Sequence, residues 1–158
     1  MKRVLLCSQV AGLLALSMLY AQSVVAQETS GKVKECSNAT LQGSFGYTST
    51  GNLLASIPML PPPFAGPFAE VGSQTFDGKG NTDASATLSA NGNIQAVTIV
   101  GTYTVKSDCT GTMTLNVSPL GLVANLNLVI DKDGTELRAI VTDSGGFIES
   151  RVYTRQFR

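Results

Sequence analysis

The 158-residue sequence contains 11 basic and 11 acidic residues but neither histidine nor tryptophan. The missing histidine excludes a Ser-His-Asp or Cys-His nucleophile and an imidazole zinc site, and we predict neither a metal nor a cofactor. The balanced charge offers no basic surface for nucleic acid or for an anionic membrane.

The first 26 residues have the organisation of an export signal. Lys2 and Arg3 form a charged start, the apolar run Val4–Tyr20 follows, and Val24–Ala26 supplies small residues before a cleavage site. The apolar run is marginal for a membrane span, so cleavage is favoured over a retained anchor. We therefore expect a one-domain mature chain, residues 27–158, that has no transmembrane span and is periplasmic or extracellular.

The segment Gly101–Val117 has the pattern of two strands around a tight turn. The turn contains Cys109 and also Gly111, which tolerates a positive φ. Cys36 is the only other cysteine outside the leader. Because two cysteines in an exported chain pair by default, we expect a Cys36–Cys109 disulfide that anchors the N-terminal tail, residues 27–40.

Strand-forming residues separated by short turn signals divide residues 41–158 into about eight strands. The predicted strands are Leu41–Thr50, Phe68–Phe76, Thr82–Ala90, Ile94–Val105, Thr112–Ser118, Leu122–Ile130, Thr135–Thr142 and Phe147–Phe157. Short hairpin turns such as Asn91–Gly92 make successive strands antiparallel neighbours. The predicted fold is all-β, an antiparallel up-and-down β-barrel with room for side chains or one small ligand. A β-sandwich is the alternative. In the sixth strand, Leu126 is predicted to face inward and Asn127 outward.

The segment Gly51–Pro67 interrupts the strand pattern with five prolines. Its apolar residues are Leu53, Leu54, Ile57, Met59, Leu60 and Phe64. Prolines remove the backbone donors of a strand ladder, so we expect Leu53–Phe64 to lie outside the ladder and to border one open end of the barrel. Two interpretations stay open: a loop folded over the core, or a lid or contact surface.

The strings GTYTVKSDCTGTMTL, LQGSFGYTSTG, FDGKGN and the closing TRQ resemble a family of exported bacterial proteins without an established function. The resemblance covers most of the mature chain and concerns strands and turns. By analogy the architecture is similar to the allene oxide cyclase and lipocalin-like barrels, which hold apolar ligands in the barrel mouth. No catalytic motif of those families aligns here, so the resemblance implies the architecture only.

Glu70 is the first candidate for chemistry, because it shares a strand face with Phe68 and Phe76. If that face points inward, an apolar pocket should raise the pKa of the carboxyl toward the range of a general acid or base. A register slip of one residue would place Glu70 in solvent, and this outward register is the favoured interpretation. Tyr47 and Tyr103 are candidate inward phenols.

Glu149 and Arg151 lie on one face of the last predicted strand. With Glu149 inward, Arg151 or Arg138 would help to bind a carboxylate or polarise a carbonyl. The alternative is an exterior charged face with Ile148 and Val152 inward, and the sequence leaves this choice open. The candidate ligand-binding residues are Tyr47, Ile57, Met59, Leu60, Phe64, Phe68, Glu70, Tyr103, Arg138 and Glu149.

Four functions fit these observations. The first is an exported barrel that binds an apolar or amphipathic small molecule. The second is a cofactor-free isomerase or cyclase that uses Glu70 and a tyrosine. The third is an interaction protein that docks a partner, or a second copy in a homo-oligomer, through the proline loop. The fourth is an outer-membrane barrel, which the small number of aromatic residues disfavours.

Overall fold

The computed structural model describes residues 35–56, 62–131 and 133–156. The predicted leader and most of the N-terminal tail lie outside the described residues. Three of the candidate ligand-binding residues of the proline loop, Ile57, Met59 and Leu60, also lie outside them.

Eight antiparallel strands close into a barrel. The strands are β1 Gly43–Leu53, β2 Gly66–Phe76, β3 Asn81–Ala90, β4 Asn93–Val105, β5 Thr110–Ser118, β6 Leu122–Ile130, β7 Glu136–Val141 and β8 Phe147–Arg155. Each strand pairs with its neighbours in sequence, and β8 pairs with β1 to close the sheet. The predicted up-and-down barrel is confirmed, and the alternative sandwich is wrong.

Turn residues with specific chemistry join the strands. Asn91 and Gly92 adopt φ values of 47° and 83°, as a two-residue turn between antiparallel strands requires. In the β2–β3 turn, Asp77 Oδ1 accepts the backbone N–H groups of Lys79, Gly80 and Asn81 at 2.7–2.9 Å. These local bonds lower the pKa of the Asp77 carboxyl, led by the bonds from Asn81. The sequence signals for short hairpins therefore correspond to real turns.

In the turn that contains Cys109, the positive φ falls on the cysteine and not on the glycine. Cys109 itself takes the left-handed conformation, with a φ of 65°, whereas Gly111 is not among the residues with positive φ. A Cβ on Gly111 would lie 2.2 Å from the carbonyl oxygen of Thr104. Gly111 is thus needed for the close approach of β4 and β5, and the strain of the turn falls on Cys109.

The proline-containing loop is shorter than predicted. β1 continues to Leu53, which pairs with Gly66, and Pro67 lies inside β2 opposite Asn52. The prediction that Leu53 lies outside the strand ladder is wrong. Pro67 fits near the start of its strand because its carbonyl can still accept the N–H of Asn91, at 2.9 Å.

A plug and a disulfide close the end of the barrel where β1 begins. A short 3₁₀ helix, Asn38–Leu41, places the fully buried Leu41 against the core. The disulfide joins Cys36 to Cys109 with a Cα–Cα distance of 5.0 Å. Arg155 donates to the carbonyl oxygens of Thr40 and Gly134, at 2.9 Å each from Nη2. We call this the plugged end, and the opposite end the apolar end.

Inward positions of the strands are mostly apolar and outward positions mostly polar. In β6, Leu126 and Leu128 are buried whereas Asn125 and Asn127 are exposed, so the predicted register of the sixth strand is confirmed. Valine and isoleucine side chains are scattered over the exterior, with Val71, Ile94 and Val129 as examples. Among the residues that the structure describes, no helix has the length and apolar character needed to cross a membrane.

Candidate functional site

A cluster of charged and hydroxyl side chains lies inside the barrel, among apolar neighbours. Glu70, Glu149 and Arg151 are only 7%, 2% and 3% exposed. Tyr47 and Ser49 are buried beside them. We call these five residues the interior polar cluster. Burying charges without water is costly unless each charge finds partners, so the arrangement of these partners matters.

The strand register brings the cluster together. Ser49 in β1 is opposite Glu70 in β2 and also opposite Arg151 in β8. Because the side chain of Ser49 is small, the two charged groups approach each other across it, and Arg151 Nη2 lies 3.8 Å from Glu70 Oε1. The positions of these charges therefore follow from closing the barrel between β1 and β8.

Two glycines provide the space that the larger residues occupy. A Cβ on Gly72 would lie 2.8 Å from the ring of Tyr47, and one on Gly51 would lie 2.7 Å from the ring of Phe68. Gly51 also packs so closely on β8 that its Cβ would meet the Ile148 carbonyl oxygen at 1.9 Å. Glycine at these positions lets aromatic rings lie flat against the strand interior.

Hydrogen bonds link most of the cluster. Tyr47 Oη donates to Glu70 Oε1, and Arg151 Nε donates to Glu149 Oε1. The Arg151 guanidinium also lies 5.2 Å from the centroid of the Tyr47 ring, within the range of a cation–π contact. Arg151 Nη1, Ser49 Oγ and the hydroxyl of Tyr153, a fully buried residue of β8, form no hydrogen bond of acceptable geometry with any described residue. The Tyr153 hydroxyl nevertheless interacts with the Arg151 side chain.

Burial shifts the acidity of the cluster. Burial raises the pKa of Glu70, and the charge of Glu149 raises it further, although Arg151 and Tyr47 oppose the change. Burial and the adjacent Glu70 likewise raise the pKa of Tyr47. For Arg151, burial acts to lower the pKa, but Tyr153, Glu149 and Glu70 raise it overall. Arg151 is thus held as a cation, and Glu70 retains its proton to a higher pH than an exposed glutamate.

A cavity lies between the polar cluster and the apolar end of the barrel. Its lining combines eight apolar residues with three members of the cluster: Leu53, Phe68, Leu88, Val117, Leu120, Leu122, Ala124, Phe147, Glu70, Glu149 and Arg151. The cavity volume is about 20 Å³, enough for about one water molecule where polar partners are present. The interior is therefore nearly filled in this conformation.

The structure corrects one favoured interpretation of the site and decides two alternatives that the sequence left open. Glu70 faces inward, so the favoured outward register of β2 is wrong. Glu149 and Arg151 also face inward, while Ile148 is 66% exposed, so the exterior charged face is wrong for β8. Arg138 points outward and pairs with Glu136 at the surface, so an inward Arg138 is wrong.

The other candidate residues divide between the two ends. Phe68 lines the cavity, and Tyr47 joins the polar cluster. Tyr103 is buried at the plugged end, where its hydroxyl donates to the carbonyl oxygen of Asn38 at 3.1 Å, so it is not part of the cavity. Phe64 is partly buried and packs against the core.

Several lining residues were absent from the list of candidates. Phe147 and Leu120 lie at the β8 start and in the β5–β6 turn, and Leu88 lies near the end of β3. Leu88 alternates with polar residues in sequence, a pattern that does not distinguish a cavity wall from solid core, and Phe147 and Leu120 lack even that signal. Among the described residues, no group of three or more acidic, cysteine or histidine side chains is placed to hold a metal ion.

No family model and no curated protein sequence matches the chain, so the resemblance to exported bacterial proteins stays a prediction. Solved structures of redesigned β-barrels are similar. The barrel b11L5F_LGL has a TM-score of 0.53 and 18% identity, covering 76% of this chain and 95% of its own.

Two further redesigned barrels, mFAP1 and mFAP0, were each solved bound to DFHBI. The mFAP1 structure has a TM-score of 0.51 and 21% identity, over 75% of this chain and 97% of its own. The mFAP0 structure has a TM-score of 0.50 and 20% identity, and the match covers 73% of this chain and 99% of the mFAP0 chain. At these identities the similarity establishes the barrel fold alone.

Proposed function

We propose that the protein is exported and binds a small apolar or amphipathic molecule through the apolar end of its barrel. The observation that carries this proposal is the position of three buried charged residues, Glu70, Glu149 and Arg151, at the base of an otherwise apolar cavity. A buried ion pair is a weak source of stability. Its presence beside an apolar cavity is typical of sites that orient a ligand.

The fold gives independent support. Redesigned barrels with similar folds are bound to the small molecule DFHBI, so an architecture of this kind accommodates a ligand. The disulfide between Cys36 and Cys109 accords with the predicted export, because such bonds persist in oxidising compartments. The mostly apolar interior is the reverse of the polar lumen of outer-membrane barrels, so we do not retain that hypothesis.

A ligand larger than water requires the apolar end to open. The residues that border it, Leu53, Leu120 and Phe147, lie at strand ends or in a turn, where local opening costs least. We expect binding to displace these side chains and to leave the plugged end unchanged. The prediction that the proline loop covers this end concerns chiefly residues 57–61, which lie outside the described residues.

The direct test is native mass spectrometry of protein purified from its own host, to detect a molecule that co-purifies. A variant test uses Phe147→Ala, which enlarges the cavity at a cost of about 3–5 kcal/mol of stability, and the outward-facing Val152→Ala on the same strand as its matched control. Phe147→Ala should change the affinity for a neutral polarity-sensitive dye, and Val152→Ala should not. Absence of both a native ligand and dye binding would overturn the proposal.

A cofactor-free isomerase or cyclase is the second candidate, and the hydrogen bond from Tyr47 to Glu70 supports it. A buried carboxyl with a raised pKa is suited to move a proton on a bound substrate. Once a ligand is identified, Glu70→Gln should abolish its conversion and retain its binding. Conversion at the wild-type rate by Glu70→Gln would exclude this role for Glu70.

A further inference from the structure

We infer that the interior polar cluster selects a neutral oxygen, such as a carbonyl or hydroxyl, as the head group of an otherwise apolar ligand. This inference rests on the proposed ligand-binding function and specifies the chemical class of the ligand. Of the two sequence-based alternatives for Arg151, binding a carboxylate or polarising a carbonyl, it favours the second.

The charges of the cluster argue against an anionic head group. Among the described residues, Arg151 is the one cation that lines the cavity, and it is already paired with Glu149 and lies 3.8 Å from Glu70. A ligand carboxylate would therefore meet two acidic groups and one base that is already neutralised. Removing such an anion from water without an available counter-charge is strongly unfavourable.

The hydrogen-bonding groups argue for an acceptor on the ligand. Arg151 Nη1 is buried and donates no hydrogen bond of acceptable geometry to a described residue, although the buried Tyr153 hydroxyl interacts with the Arg151 side chain. A buried donor without a partner is unfavourable, and an oxygen lone pair relieves this. An ammonium head group brings only donors, so it cannot accept the bond from Arg151.

The walls of the cavity define the rest of the molecule. Above the cluster, the lining consists of aliphatic and aromatic side chains, with Leu53, Phe68 and Phe147 nearest the ends of their strands. Apolar surface gains from leaving water in proportion to its area, so the body of the ligand should be hydrocarbon. The resulting ligand is an apolar chain or ring with one oxygen group, inserted oxygen first.

The test compares four probes of equal chain length: octanol, octanoic acid, octylamine and octane. Dissociation constants are measured near neutral pH by displacement of the neutral dye. We expect octanol to bind about tenfold or more tightly than each of the other three. Tightest binding by the acid or amine, or equal binding of octane and octanol, would overturn the inference while the proposed function stands. Failure of all four probes, with no native ligand, would overturn both.

A variant that alters the charge of the cluster tests the same inference by changing the protein instead of the ligand. Glu149→Gln keeps the shape of the residue but frees the charge of Arg151, so it should bind octanoic acid about tenfold more tightly than wild type. Glu136→Gln, at a half-buried position outside the cavity, is the matched control and should leave all four affinities unchanged. If Glu149→Gln does not fold, Glu70→Gln is tested in its place. An unchanged ratio of acid to alcohol affinity in a folded variant would contradict the inference.

Discussion

Glu70 and Arg151 face each other across Ser49, the residue of β1 that is opposite both of them in the strand register. They come from strands that are far apart in sequence, on opposite sides of β1. The contact exists only because the last strand returns to the first. The interior polar cluster is therefore a property of the closed barrel, and its electrostatics should be visible in the stability of the whole fold.

The buried carboxyl of Glu70 should make stability depend on pH. Its pKa is raised in the folded protein from the ordinary value of 4.5. Between pH 4.5 and the pKa of the folded state, the folded protein therefore binds more protons than the unfolded protein. The free energy of unfolding contributed by Glu70 is fully present below pH 4.5 and is lost as the pH rises through the folded pKa. Glu70→Gln should remove this pH dependence of the free energy of unfolding, and the half-buried Glu136→Gln should retain it. Urea unfolding across this pH range measures both, and an identical slope in Glu70→Gln would contradict the assignment.

The register of β6 predicts opposite outcomes for two neighbouring substitutions. Leu126→Asp places an unpaired charge in the core and should prevent folding, because the penalty of several kcal/mol approaches the total stability of a typical domain. Asn127→Asp lies on the outward face and should change the free energy of unfolding by about 0.5 kcal/mol or less. Circular dichroism and chemical unfolding compare the two variants. A folded Leu126→Asp would show that this position is not core.

The disulfide and the backbone at Cys109 can be separated by two double variants. Cys36→Ser with Cys109→Ser should lower the free energy of unfolding by about 2–5 kcal/mol, as expected for a native bridge in a small secreted domain. Because Cys109 has a φ of 65°, Cys36→Ser with Cys109→Gly should recover about 1 kcal/mol of this loss. Chemical unfolding under oxidising conditions tests both variants. A glycine variant no more stable than the serine variant would indicate that the turn relaxes once the bridge is absent.

The proline loop should contain one part that stabilises the barrel and another that does not. Pro63 accepts hydrogen bonds from the side chains of Asn91 and Asn93, and Phe64 packs against the core. Replacing residues 57–64 by a Gly-Ser linker should cost about 1–3 kcal/mol, chiefly from exposing the Phe64 ring. Replacing residues 57–61 alone should cost less and should weaken ligand binding. Thermal unfolding and dye titration distinguish the two, and equal destabilisation by both replacements would place the stabilising contacts before Pro62.

The sequence predicted the barrel well because its signals are local. Alternation of apolar and polar residues locates each strand, and turn pairs such as Asn91–Gly92 fix the hairpins without knowledge of the rest of the chain. The boundaries around the proline loop failed because Pro67 can stand at the beginning of a strand when its carbonyl, and not its nitrogen, is needed.

The polar cluster was only partly predictable for a different physical reason. Glu70 and Glu149 could be identified as unusual residues on apolar faces, but the direction of each face depends on register, and a slip of one residue reverses it. The partner relationship between Glu70 and Arg151 depends on closure between β1 and β8. Local patterns contain no information about that pairing, and so the choice of Arg138 or Arg151 stayed open.

The pairing of β1 with β8 also sets the order in which the protein can mature. β1 lies near the N-terminus of the chain and pairs with β8 over nine registered positions, Phe45–Leu53. Until β8 is available, β1 and the growing sheet present two unpaired edges that invite association with other chains. Cys36 and Cys109 are both present by the time β5 begins, so a covalent loop can form around an unfinished sheet. Completion of the barrel must wait for the last strand, and a chain truncated before Phe147 should aggregate during synthesis or secretion.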